Sequence, residues 1–221
     1  MCYRFSTLYT AKEAEQYYNA YEIEEGYYTV DELNGFNYPE TAIIMDVAPT
    51  EIVVGKWGLF PSWAKEDFQK KTNTLNAKVE TIPQLASYKN SVNKRCIIPA
   101  RHFYEWQWLD EKGKTKKKFK IKIKDQELFS LAGIYNLWTN PTTGKQHKTY
   151  SIVTTAANEL MSVIHNNKKR MPICLNKDLH KLWLEQKPLE MFSYPNLDPE
   201  LVAVEAEETF ADTLFPEVNS K

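Results

Sequence analysis

The chain of 221 residues has little of several features that define whole classes of protein. Its three cysteines, an odd number, give no disulfide framework. No run is long and apolar enough to span a bilayer, and the opening residues MCYRFSTLYT lack the apolar stretch of a signal peptide. We therefore expect a cytoplasmic protein with reduced thiols and no membrane association.

An excess of charge of one sign is also missing. Lysine and arginine total 28 against 29 acidic residues, so no overall positive field attracts polyanions. A nucleic-acid site, if present, must be a local patch. The cysteines and the four histidines show no paired ligand spacing, and we expect neither a metal nor another cofactor.

No repeat or Gly/Ser-rich linker divides the chain, and we expect one monomeric domain over residues 1–221. Helical spacing is present at 11–22, 156–164 and 178–186. Short β-type runs occur at 42–47, 51–57, 95–98, 102–108, 118–124, 128–135, 149–155 and 201–205. Strands in blocks with few helices between them predict a mixed, largely antiparallel α+β fold.

Cys2 follows the initiator methionine directly. Small second residues allow Met1 to be removed, which would leave the α-amine and the thiol on one residue. Such an aminothiol condenses with an aldehyde through its amine, and its thiolate then closes a thiazolidine ring. The alternative is a small residue that happens to follow Met1. Cys96 and Cys174 lie in apolar runs and are predicted to be core residues.

Five segments resemble, in order, motifs of the SRAP (SOS response-associated peptidase) family. They are MCYRFS (1–6), WGLFPSWAK (57–65), LNAKVET (75–81), RCIIPARHFYEW (95–106) and the stretch His165–Pro172. The resemblance implies an SRAP-like α+β fold with a barrel-like core and flanking helices. It also implies a DNA-damage sensor that forms a thiazolidine crosslink with abasic sites in single-stranded DNA. Met1 would be removed by the protein itself or by an aminopeptidase.

The resemblance implies a role for each matching residue. Cys2 is the nucleophile, Asn76 positions its amine, and Glu105 and His165 transfer protons. Arg4, Lys78 and Arg170 match basic positions that hold DNA phosphates.

Three positions depart from the family pattern. Tyr3 stands where the family has Gly, and Lys78 replaces an arginine fork with a point charge. The family motif H-x-R-M-P is longer here, because three extra residues separate His165 from Arg170.

The residues themselves leave alternatives open. Glu105 lies among aromatics, and burial there would raise its pKa and suit a general acid, unless it forms a salt bridge at a sheet surface. His165 follows a helical stretch, whose C-terminus favours the imidazolium and a proton donor, but a surface histidine that simply ends the helix is the commoner case. Asn76 could orient an amine or occupy a turn.

Two further features could contact DNA. Trp63, in an irregular loop near Pro61, could stack on unpaired bases, whereas Trp57 suits the core. Segment 112–124 holds eight lysines in thirteen residues. These could follow a phosphate backbone or could protect an edge strand from aggregation.

Three functions remain after these observations. The first is a sensor that crosslinks covalently to abasic single-stranded DNA, with a possible strand-cleaving lyase reaction. The second is a thiol peptidase that uses Cys2, His165 and Asn76. The third is a single-strand binding module without chemistry, based on Trp63 and the lysine-rich segment.

Overall fold

A computed structural model describes residues 2–24 and 29–207. Its strands are β1 Arg4–Phe5, β2 Tyr21–Glu22, β3 Leu33–Asn34, β4 Glu40–Met45, β5 Ala48–Trp57, β6 Asn76–Lys78, β7 Arg95–Ala100, β8 Phe103–Trp108, β9 Lys116–Ile123, β10 Phe129–Thr139, β11 Gln146–Ala156, β12 Arg170–Pro172, β13 Cys174–Leu175 and β14 Leu201–Ala206. The helices are α1 Ala11–Tyr18, α2 Phe68–Lys71, α3 Glu159–Ile164 and α4 Lys177–Leu184. The strands greatly outnumber the helices, and the fold is of the α+β class.

Five of the strands close into a barrel. β11, β10, β7, β4 and β5 pair in that order through antiparallel ladders. A parallel pairing of β11 with β5, at Thr149–Lys56 and Tyr150–Trp57, joins the two ends. Closure removes the exposed edges that an open sheet would leave. The barrel-like core expected from the sequence is therefore present.

A second sheet packs beside the barrel in the order β14, β9, β8, β1, β3, with antiparallel pairing throughout. This sheet carries the N-terminal residues and the glutamate of the HFYEW motif. One core cluster links it to the barrel, because Phe5 and Phe103 of the sheet pack with Trp57 and Tyr150 of the barrel. The chain start is therefore held at the boundary between the two sheets.

The termini of the helices use local side-chain bonds. α1 begins with a capping box, in which Thr10 and Glu13 each accept from the other's backbone N–H. Asn158 and Asn176 cap α3 and α4 in the same position, each accepting from a backbone N–H three residues later. In the described part of the chain, no helix has the length and apolar character needed to cross a membrane.

The longer predicted elements are observed within a few residues of their expected bounds. Gly113 forms the turn of the predicted hairpin between β8 and β9, with a φ of 62°. The helix predicted at 11–22 was too long, because α1 ends at Tyr18 and Tyr21–Glu22 pairs with β5. Asn19 takes a left-handed conformation and ends the helix there.

Candidate functional site

Cys2 lies immediately before β1 and is fully buried. Its Sγ donates to the backbone oxygen of Arg4 at 3.7 Å. Burial, and next the nearby Glu105 carboxyl, raise the pKa of the Cys2 thiol well above its usual range. The sulfur is therefore a protonated thiol in this environment, and it needs a proton acceptor before it can attack.

Asn76 opens β6 and reaches the same residue from the barrel side. Its Nδ2 donates to the backbone oxygen of Cys2 at 2.8 Å. Its Oδ1 is buried and has no hydrogen-bond partner among residues 2–24 and 29–207. The backbone is fixed on the other side, since Tyr88 donates its hydroxyl to the Asn76 carbonyl at 3.0 Å. A buried amide oxygen of this kind can accept from an amine that forms beside it.

Glu105 lies in the middle of β8 and is 1% exposed. Burial raises the pKa of its carboxyl to about 7, against an ordinary value of 4.5. Near neutral pH this carboxyl exists in both protonation states, which suits a group that first donates and later accepts a proton.

His165 ends α3 and is buried beside Glu105, with Nε2 at 3.9 Å from Glu105 Oε2. Its Nδ1 lies 2.7 Å from the backbone oxygen of Arg170. The Arg170 backbone N–H also points at Nδ1, at 3.3 Å, so the tautomer decides which of the two contacts is the hydrogen bond. In either tautomer Nε2 faces the carboxyl. The main chain of β12 thus holds the ring in one orientation.

The four predicted catalytic residues form one connected set. Asn76 bonds to Cys2, the charges of Cys2 and Glu105 interact, and His165 faces Glu105. They come from the chain start, β6, β8 and the end of α3, so only the folded chain brings them together. No group of three His, Cys, Asp or Glu residues that could hold a metal is present among residues 2–24 and 29–207.

The two arginines predicted to hold DNA phosphates are both ion-paired. Arg4 is 4% exposed, and its Nη1 binds Glu32 at 2.8 Å. Arg170 forms two parallel bonds with Glu80, at 2.8 and 2.9 Å, and a third with the Thr154 carbonyl. The structure therefore does not place either guanidinium at the surface as an open phosphate site. Both roles stay predictions that require the arginine to exchange its carboxylate for a phosphate.

Lys78 and Trp63 are open to solvent. Lys78 lies two residues after Asn76 on β6, and alternation puts both side chains on one face of that strand. Trp63 is 57% exposed and packs edge-on against Phe68 with ring centroids 5.4 Å apart. Trp57, in contrast, is fully buried and donates its ring N–H to the Leu75 carbonyl, as expected of a core residue.

The edge-strand explanation of the lysine-rich segment does not fit the structure, because β8 and β14 flank β9 on both sides. Contact with a phosphate backbone stays a prediction, and Lys112 and Lys114 are exposed. Acidic side chains pair with five of the other lysines. The pairs are Lys117–Glu205, Lys118–Glu32, Lys120–Asp31, Lys122–Glu127 and, just past the strand, Lys124–Glu200. The segment is an ion-pair ladder that joins β9 to its neighbours.

Sequence reasoning missed three residues around the site. Glu32 and Glu80 bind the predicted arginines, and Asn166 bonds to the backbone of β8. Glu80 stands two residues after Lys78 within the LNAKVET motif, which is a signal that could have identified it. Glu32 and Asn166 lie outside short-range patterns and become visible only in the fold.

A known family model matches nearly the whole chain. The model of the family described as SOS response associated peptidase (SRAP) matches residues 1–210. This chain belongs to the SRAP family. The family resemblance inferred from five short segments is thus confirmed over nearly the whole chain.

Curated relatives of this SRAP protein carry abasic-site names. Abasic site processing protein YoqW of Bacillus subtilis is 42% identical over 146 residues, which cover 66% of this chain and 62% of the relative. The match therefore spans less than two thirds of that relative. Abasic site processing protein YoaM, from the same organism, is 37% identical over 195 residues, covering 85% of this chain and 80% of its own.

Solved structures share the fold of this SRAP protein. A protein from Bacteroides thetaiotaomicron superposes with a TM-score of 0.82 at 30% identity, covering 96% of this chain and 94% of that one. A protein from Bordetella bronchiseptica gives a TM-score of 0.79 at 24% identity and supports the fold alone.

Proposed function

We propose that this SRAP protein captures abasic sites in single-stranded DNA through a covalent thiazolidine on Cys2. The observation that carries the proposal is the buried set in which Asn76 and Glu105 both act on Cys2. Relatives named abasic site processing proteins support the substrate class.

The chemistry first requires a free α-amine on Cys2, which hydrolysis of the Met1–Cys2 peptide bond supplies. The buried Oδ1 of Asn76, which no group in the described part of the chain engages, is the acceptor that would orient this amine. The same side chain already holds the Cys2 carbonyl through Nδ2, so both ends of the residue would be fixed.

Glu105 would start the reaction as a general acid. Its proton goes to the ring oxygen of the abasic sugar while the proton of the C1 hydroxyl passes to water, which gives the open-chain aldehyde and leaves Glu105 as a carboxylate. The amine adds to this aldehyde, and loss of one water gives the imine. The sulfur then bonds to the imine carbon and the thiol proton passes to nitrogen. The net reaction joins aminothiol and aldehyde, releases water and involves no oxidation.

The raised pKa of the Cys2 thiol fits this order of steps. A thiol held neutral does not compete with the amine for the aldehyde. In the last step the carboxylate form of Glu105 can accept the thiol proton and pass it to the nitrogen. An imine intermediate also allows β-elimination, so strand cleavage is a predicted side reaction.

A thiol peptidase is less well supported. That chemistry needs an imidazole that withdraws the thiol proton. His165 instead faces Glu105, and the Cys2 sulfur donates to the backbone carbonyl of Arg4.

The proposal is tested with purified protein whose intact mass shows that Met1 is absent. We expect a denaturant-resistant complex with an abasic oligonucleotide and none with a tetrahydrofuran analogue, which has no aldehyde. Cys2→Ala should abolish the complex, and Cys174→Ala should retain it, because Cys174 is an equally buried thiol whose sulfur bonds to the Pro172 carbonyl.

Cys2→Ser separates the amine from the thiol. It keeps the amine and should form a product only when borohydride traps the imine. A wild-type complex that survives loss of Cys2, or one equally strong on the tetrahydrofuran strand, would overturn the proposal. Equal binding of intact and abasic strands with no covalent product would favour the simple binding module.

A further inference from the structure

The loop Asn166–Lys169, here called the clip, joins α3 to β12 and contains the extra residues noted in the sequence. Its last residue, Lys169, is fixed by two backbone bonds. Lys169 donates its N–H to the His165 carbonyl at 2.8 Å, and Ala157 donates to the Lys169 carbonyl at 3.0 Å. Lys169 takes a left-handed conformation with a φ of 47°, which turns the chain back into β12. The clip is therefore a defined turn.

Asn166 fastens the clip to β8, the strand that carries Glu105. Its Oδ1 accepts from the Trp108 N–H at 3.0 Å, and its Nδ2 donates to the Trp108 carbonyl at 2.8 Å. The side chain thus pairs with one residue as a neighbouring strand would. A third bond runs alongside, from Gln107 Nε2 to the Val163 carbonyl at 3.2 Å.

Lys168 lies at the exposed part of the clip, three residues from His165 and two from Arg170. Its positive charge acts on the buried Glu105 and lowers the pKa of that carboxyl, opposing the larger effect of burial. Lys78 is exposed near Asn76. The arginines of the site are engaged by Glu32 and Glu80, whereas Lys78 and the two lysines of the clip, Lys168 and Lys169, are exposed to solvent. Of the two clip lysines, Lys168 is the one whose charge acts on Glu105.

We propose that Lys168 is a phosphate-binding residue of this site, and that Asn166 is the positioning residue that holds it there through the clip. The ligand is a phosphodiester of single-stranded nucleic acid next to the captured sugar. That identification of the strand rests on the proposed function. A lysine suits the task because its ammonium needs no fixed fork geometry and binds phosphate as a point charge.

The first test measures binding of an intact single-stranded oligonucleotide by fluorescence anisotropy at several salt concentrations. Lys168→Gln should weaken binding roughly threefold to tenfold at low salt. It should also reduce the slope of log K against log salt by about 0.7, the value for one phosphate contact on a single strand. The matched control is Lys12→Gln, which removes an exposed lysine from α1, a helix that contributes nothing to the site.

The second test compares two neighbouring asparagines. Asn166→Ala should reduce the salt slope as Lys168→Gln does, and the double variant should lose little more than either single one, because both act through the same contact. Asn167→Ala, an exposed change in the same loop, should leave the slope unchanged.

Two results would overturn the inference. If Lys168→Gln binds the strand as tightly as Lys12→Gln does, Lys168 makes no phosphate contact. If the losses in affinity add up in the double variant, Asn166 does not position Lys168. Both measurements use an intact strand, so they do not depend on crosslinking. Absence of a crosslink with the wild-type protein would count against the proposed function alone.

Discussion

The Nε2 atom of His165 lies 3.9 Å from Oε2 of Glu105, across the junction between α3 and β8. This separation exceeds a hydrogen bond but leaves the two groups electrostatically coupled. The ring cannot rotate away freely, because its Nδ1 is held by the backbone of Arg170. The main chain at Arg170 therefore keeps the imidazole facing the carboxyl.

Glu105→Gln should change how stability depends on pH. The carboxyl has a pKa of about 7 when folded against an ordinary 4.5, so the folded state binds more protons between these values. The contribution of this carboxyl to the free energy of unfolding is therefore fully present below about pH 4.5 and is lost as pH rises through about 7. The amide does not titrate. The free energy of unfolding of the variant, relative to that of the wild type, should therefore rise by about 3 kcal/mol between pH 4.5 and pH 8. Urea unfolding at several pH values measures it.

The control for this measurement is Glu127→Gln. Glu127 has an 82% exposed side chain, so its stability difference from wild type should stay flat across the same range. A flat difference for Glu105→Gln as well would show that the carboxyl ionises normally in the fold.

Glu32→Ala should destabilise the protein strongly. Glu32 binds Arg4 at 2.8 Å and Lys118 at 2.6 Å, and both cations are almost fully buried over the Trp106 ring. Removing the shared carboxylate takes one ion-pair partner from two buried cations at once, and breaking a buried ion pair costs about 3–5 kcal/mol. Chemical denaturation at pH 7 measures the loss.

Glu205→Ala is the matched comparison within the same sheet. Its partner Lys117 is 37% exposed and Glu205 is 61% exposed, so the loss should stay below about 1 kcal/mol. Equal losses for the two variants would mean that burial does not distinguish the pairs.

Trp63→Ala should weaken single-strand binding about tenfold, in line with roughly 1–3 kcal/mol for one base stacked on an aromatic ring. Stability should hardly change, because the ring is 57% exposed and its described ring contact is edge-on with Phe68. Anisotropy with an intact strand measures the effect. Tyr21→Ala removes a 72% exposed ring on β2 and should bind the strand like wild type. An equal loss of affinity in this variant would show that Trp63 does not stack on a base.

Much of the fold could be predicted because the long strands carry their own pattern. β8 alternates between a face with Phe103 and Glu105 and a face with Tyr104 and Trp106. Short strands such as β1, β6 and β12 have two or three residues and no periodicity. They form because longer neighbouring strands offer backbone groups for pairing, and a local sequence pattern does not predict such pairing.

The catalytic candidates could be named from motifs, whereas the state of the charged residues could not. An arginine in a motif is equally compatible with a phosphate or with a carboxylate partner. The partners of Arg4 and Arg170 lie 28 and 90 positions away in the sequence, and only the three-dimensional structure identifies them. The lysines of β9 gave the same difficulty, since their acidic neighbours come from other segments.

The complete burial of Cys2 has a consequence for its chemical lifetime. Peroxide oxidises thiolates far faster than thiols, and it must reach the sulfur to do so. The Cys2 sulfur is both inaccessible and held protonated, as are Cys96 and Cys174. The sulfur proposed as the nucleophile is thereby preserved in reduced form, and peroxide or alkylating agents should consume it much more slowly than they consume free cysteine.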